Sequence, residues 1–149
     1  MDLREYIEKV REFGELKVVE GANWDLEIGA ITYLEGKDTN PSALLFDKIQ
    51  GYPAGHRVLS IPYSTDKRMA LSLGLPLEAK RLDLVREMRK KLSEPLEPVP
   101  PIEVKDGPIL ENVRSGDEVN LFDFPTPRWQ SGDGGRYIGT GDAVIIKDP

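Results

Sequence analysis

The chain contains no cysteine and a single histidine, His56. The first absence removes disulfides, thiol catalysis and cysteine-ligated zinc or iron–sulfur centres. It also fits a cytoplasmic protein, which is the expectation here. No uninterrupted apolar run exceeds the four residues of "AVII" at 143–146, whereas a membrane-spanning helix needs roughly 20. The opening "MDLREYIEKV" has no basic stretch leading into an apolar one, so it does not read as a secretory signal. Positive charge is also in deficit. Lys and Arg number 20 against 26 Asp and Glu, a net charge of −6, and neutralising phosphates needs the opposite surplus. Nucleic acid and membranes are therefore not expected partners. The one basic cluster, Lys80, Arg81, Arg86, Arg89, Lys90 and Lys91, falls on a candidate helix and reads as a solvated face.

What is present suits a soluble globular protein: 149 residues, 39% apolar and 31% charged, enough for one ordinary domain with a core. A first helix is signalled by Asp2 as its cap, with Glu5 as the reciprocal partner of a capping box. Leu3, Tyr6, Ile7, Val10 and Phe13 form its apolar stripe, and Gly14 is its stop. "ELKVVEG" reads as a strand. Asp25 is expected to cap a second helix that buries Trp24, Ile28, Ile31 and Leu34. Strands "ALLFDKI" and "RVLSIPY" follow, separated by the turn "QGYPAGH". A short helix from Ser64 or Thr65 to Gly74 should bury Met69, Ala70 and Leu73. Pro76 suits the first turn of a longer helix, with Leu77, Leu84, Val85, Met88 and Leu92 at helical spacing. The order is an α+β or α/β pattern without internal repeat.

At Ser93 the character changes. "SEPLEPVPP" carries four prolines in nine residues, which forbids helix and reads as an extended linker. A boundary is expected near residues 93–101. Beyond it lie strand candidates "IEVK" and the terminal "YIGTGDAVIIK".

The stretch "WQSGDGGRYIGTGD" at 129–142 holds five glycines and two aspartates. No Gly-Lys-Ser/Thr closes it, so it is not a Walker loop. Gly139 and Gly141 are followed by Val144 at the third position and by a strand, so it is not a dinucleotide fingerprint either. On spacing alone it is a wide turn whose glycines take positive φ. His56 has no serine or acid at triad spacing, and histidine metal sites draw on several ligands. Glu103, Asp106, Glu111, Asp117, Glu118 and Asp123 are scattered through loops and read as solubilising charge. Arg128 and Trp129 in "FPTPRW" are either an aromatic ligand face or an anchor for the loop.

Several segments, in order, resemble the N-terminal third of the UbiD-like decarboxylases. They are "DLREYIEKVREFGELKVVEG", "DLEIGAI", "ALLFDKIQGYP" and, most specifically, "VKDGPILENVRSGDEVNLFDFPTPRWQSGDGGRYIGTGDAVIIKDP". The resemblance implies an α+β chain: an N-terminal α/β domain over 1–100, then over 101–149 the first strands of a split β-barrel flavin-binding domain. It also implies reversible decarboxylation of an aromatic or α,β-unsaturated carboxylic acid with prenylated FMN, whose azomethine-ylide character adds across the substrate double bond before carbon dioxide leaves. A protonated glutamate then reprotonates the product carbon. Mn2+ and K+ bridge the cofactor phosphate to the protein, and the whole enzyme is a homo-oligomer. The family's metal ligands and its Arg-Glu-Glu catalytic set are expected downstream of "KDP". No catalytic or metal residue is therefore assigned here, and this segment alone is expected to be inactive. The cofactor-binding residues carried over are Thr140, Gly139 and Gly141. The alternative reading is a stand-alone accessory subunit that completes a separate catalytic chain by strand addition.

Overall fold

The computed structural model describes residues 1–95 and 97–139. These fall into two compact units. One comprises Met1–Thr65 with the described residues from Phe124 onward, and the other is Asp66–Asp123.

The first unit is built on a short mixed sheet. Helix α1 (Leu3–Glu12) begins with the expected capping box: the Glu5 N–H donates to Asp2 Oδ1 at 2.8 Å, and the Asp2 N–H to Glu5 Oε2 at 3.0 Å. Gly14, at φ +71°, turns the chain out of the helix and into strand β1 (Leu16–Glu20). Tyr6, Ile7 and Val10 are buried as expected, but Leu3 is exposed. Helix α2 (Glu27–Glu35) then carries the chain back so that β2 (Ala43–Asp47) lies parallel to β1, with Val18 opposite Leu45. A parallel pair requires such a crossover. Strand β3 (Val58–Ser60) is antiparallel to β2, with Leu59 opposite Leu45. The order is β1-β2-β3.

The central strand is apolar on both faces: Ala43, Leu44, Leu45 and Phe46 are all buried. Ala22, Ile28, Leu44, Phe46 and Ile49 form the core, with Val19, Trp24, Ile31, Tyr52, Val58, Ile61 and Trp129 packed against it.

Two expectations about α2 are corrected. Asp25 does not cap it. The residue before the helix is Leu26, at φ +70°, without a side-chain cap, because the Asp25 carboxylate is committed to Arg128 instead. Leu34 is exposed. At about 100° per residue, position 35 rather than 34 returns to the face of Ile28, and Glu35 occupies it. Its carboxylate accepts both hydrogen bonds from Lys17 Nζ on β1, at 2.9 and 2.8 Å, and the Ser42 N–H at 2.7 Å.

The Lys17 ammonium, and next the Ser42 N–H, hold the Glu35 carboxyl below its ordinary value of 4.5. A carboxyl depressed in the folded state contributes stability that is present above the unfolded value and lost as pH falls through the folded one. The unfolding free energy is therefore expected to fall as pH drops below about 4.5. Glu35→Gln should flatten that limb and cost about 1 kcal/mol at neutral pH, measured by urea titrations across pH. An unchanged acid limb would show that the contact does not form.

The second unit contains α3 (Asp66–Leu73), α4 (Arg81–Ser93) and three single 3-10 turns, Pro108–Leu110, Gly116–Glu118 and Leu121–Asp123. Gly74, at φ +65°, ends α3. That helix buries Arg68 and Ala70, and Met69 stands exposed, so the expected burial of Met69 is corrected. Pro76 does not open α4. It heads an isolated turn, with the Ala79 N–H donating to the Pro76 carbonyl at 3.1 Å. The helix starts five residues later because Asp66 Oδ2 accepts the Arg81 N–H at 3.1 Å, satisfying a first-turn donor from outside. Leu84 is buried, whereas Val85 and Leu92 are not. The expected strand "IEVK" is absent: residues 102–105 carry no regular structure, and Val99, Ile102, Val104 and Ile109 are exposed. The basic cluster of α4 is exposed, as read from the sequence.

Among the described residues no helix is long and apolar enough to cross a membrane.

Candidate functional site

The segment from Phe124 to Gly139 is fastened to the first unit at two places. At the first, the Arg128 N–H donates to the Trp24 carbonyl at 3.0 Å and the Leu26 N–H to the Arg128 carbonyl at 2.9 Å. The Arg128 guanidinium closes the link through Nε to Asp25 Oδ1 at 2.6 Å. The neighbouring Trp129 backbone lies directly on Gly29 of α2, where any side chain would collide with it. Arg128 and the Trp129 backbone thus anchor the loop, and Trp129 lines a cleft as well.

The second fastening is Arg136. Its Nε donates to the Thr126 carbonyl at 2.6 Å and its Nη2 to the Phe124 carbonyl at 3.0 Å and to the Tyr52 hydroxyl. The guanidinium lies 4.3 Å from the centre of the Trp24 ring and 5.7 Å from that of Tyr52. Cation–π attraction and charge-assisted hydrogen bonds therefore act on one group. Between the two fastenings a tight turn forms, in which Asp133 Oδ2 accepts the Gln130 N–H at 2.9 Å.

This arrangement leaves a cleft of about 700 Å³ between the β3 region and the fastened segment. Arg57 and Leu59 form one side, and Phe124, Trp129, Tyr137 and Gly139 the other. Its aromatic and proline wall, with a guanidinium and the Asp133 carboxylate at its margins, suits a flat, largely apolar ligand that carries polar groups.

Of the carried-over residues, Gly139 lines this cleft. Thr140 and Gly141 lie outside the described residues, as does most of the expected terminal strand. His56 sits in its turn with its ring centre 6.4 Å from that of Tyr52. The loop acids Glu103, Asp106, Glu111, Asp117 and Glu118 are exposed, and Asp123 pairs with Arg114. Among the described residues no three acidic or histidine side chains gather as a metal site would require. Arg136, Trp24 and Tyr52 were not singled out from the sequence as partners. Arg136 and Tyr52 are 84 positions apart, and no local spacing encodes such a pairing.

Two family models match the chain. The N-terminal domain of 3-octaprenyl-4-hydroxybenzoate carboxy-lyase (UbiD) matches residues 7–92, and the Rift-related domain of the same carboxy-lyase matches 102–149. The chain belongs to the UbiD family. Among its UbiD relatives, the pyrrole-2-carboxylic acid decarboxylase of Pseudomonas aeruginosa is 34% identical over 157 residues, covering 100% of this chain and 31% of that protein. A phenolic acid decarboxylase of Escherichia coli O157:H7 is 31% identical, over 99% of this chain and 31% of its own length. The vanillic acid decarboxylase of Sedimentibacter hydroxybenzoicus, in its open form, superposes with a TM-score of 0.77 at 31% identity, covering 91% of this chain and 29% of that one. The chain therefore corresponds to the N-terminal portion of the family and spans about a third of the length of these relatives. The expected α+β class agrees with these structures.

Proposed function

We propose that this chain is the N-terminal part of a decarboxylase that removes carbon dioxide reversibly from an aromatic or α,β-unsaturated carboxylic acid. The observation that carries the reading is the match of both UbiD domain models in sequence order. The acids named for the relatives, pyrrole-2-carboxylic and vanillic acid among them, are aromatic.

Prenylated FMN is the proposed cofactor. When bound, it supplies the electron sink that lets a carboxylate leave as carbon dioxide, while the protein orients it and excludes water. The residues present suit such a group. Trp129 and Tyr137 offer flat apolar surface, and Gly139 has no side chain to obstruct close approach. Thr140 and Gly141 are proposed to continue that contact. Mn2+ and K+ are assigned to no residue of this chain. The same reading divides the chain near residue 100, with 101–149 opening the split-barrel flavin domain, and makes the whole enzyme a cytoplasmic homo-oligomer.

The test is carbon dioxide release from a panel of aromatic and α,β-unsaturated acids by the whole enzyme, reconstituted with prenylated FMN, Mn2+ and K+. Release by the whole enzyme and none by the 149-residue chain is expected. A fully loaded whole enzyme that decarboxylates none of the panel overturns the reading.

A further inference from the structure

We propose that Arg136 is a positioning residue for the cleft, the device that sets one of its walls. It bonds at once to two carbonyls of the 124–126 stretch and to Tyr52 in the body of the first unit. Phe124 and Thr126 both line the cleft, and their carbonyls are held by the two ends of one guanidinium. The planar fork fixes the spacing of its acceptors in a way an ammonium cannot. The same guanidinium is located by Trp24 and Tyr52, both packed against the core. Three residues further on stands Gly139 at the cleft. The clasp thus ties the wall to the core through one side chain, and its loss frees the wall on both sides of the turn around Asp133.

What Arg136 positions the wall for follows from the decarboxylase reading, whereas the clasp itself stands on geometry alone. Two measurements on the whole enzyme separate them. The first is limited chymotrypsin digestion, read as cleavage after Trp129 and Tyr137. Arg136→Gln should accelerate it by about 10-fold. Arg136→Lys should fall between, because an ammonium keeps its place over the rings but cannot span both carbonyls.

The second is the KM for the aromatic acid, together with flavin retention. Arg136→Gln should raise KM by about 10-fold and weaken flavin retention. Glu35→Gln, which loosens the same unit away from the cleft, should leave both unchanged. Unaltered digestion of Arg136→Gln overturns the clasp. Faster digestion with KM and retention no different from those of Glu35→Gln overturns the positioning role and leaves a structural one. A wild-type enzyme without decarboxylase activity instead refutes the functional reading, and digestion and flavin retention then decide the role of Arg136.

Discussion

Gly29→Ala is expected to destabilise the first unit by roughly 2–3 kcal/mol and to release the segment that carries the cleft wall. In an isolated helix the same change would be favourable by up to about 1 kcal/mol, since glycine is a poor helix former. Here the sterics decide. A Cβ at position 29 would stand 1.9 Å from the Trp129 carbonyl oxygen, 2.7 Å from its carbon and 2.8 Å from its Cα. All three are backbone atoms, so no rotamer change relieves the collision. Either α2 withdraws from Ile28's place in the core, or Trp129 lifts away and strains the hydrogen bonds of Arg128 to Trp24 and Leu26. Thermal unfolding and chymotrypsin digestion after Trp129 measure the two outcomes. A variant that melts at or above the wild-type temperature would show that Trp129 does not dock there.

The second large effect is expected at Phe46. It is fully buried, next to last in the middle strand, among Ala22, Ile28, Leu44 and Ile49. Phe46→Ala removes a ring that the two flanking strands and α2 cannot close over, and the expected loss is about 3–5 kcal/mol. Against a typical total of about 5 to 15 kcal/mol, this removes between about a fifth and the whole of the stability. Urea denaturation of the variant gives the number, and a loss under about 1 kcal/mol would mean that Phe46 is not part of the core.

These two residues mark what was and was not legible in the sequence. Phe46 sits in "ALLFD", a short apolar run bounded by turn signals, and its burial on both faces follows from that pattern. The same holds for the capping box of α1 and for the stop at Gly14. Gly29 carried no such signal, because its reason is a backbone that arrives from position 129. Asp25 was read as a local cap, the commonest use of that residue before a helix. A guanidinium 103 residues away took the carboxylate instead. Leu34 and Pro76 failed differently. Each fits a helical template, but Glu35 held the inward position in one case, and in the other Asp66 satisfied the helix start further along. For the candidate site, the glycine-rich stretch drew attention to Gly139. The arginine within it, which holds the wall in place, needed the fold to be seen.

One feature of the sheet bears on how the chain meets other polypeptides. Among the described residues strand β1 pairs on one side only, and β3 is three residues long. Among the described residues both ends of the sheet are therefore unpaired, the condition under which strands template foreign strands and grow into aggregates. The remedy is written in charge. Lys17 and Glu20 interrupt β1, and each is already matched within the chain, to Glu35 and Lys48 respectively. A newcomer aligning along β1 would have to strip water and partners from both, and β3 offers too few rungs to hold one. Among the described residues, charge on β1 and shortness of β3 are thus what each border sets against a strand donated by another polypeptide.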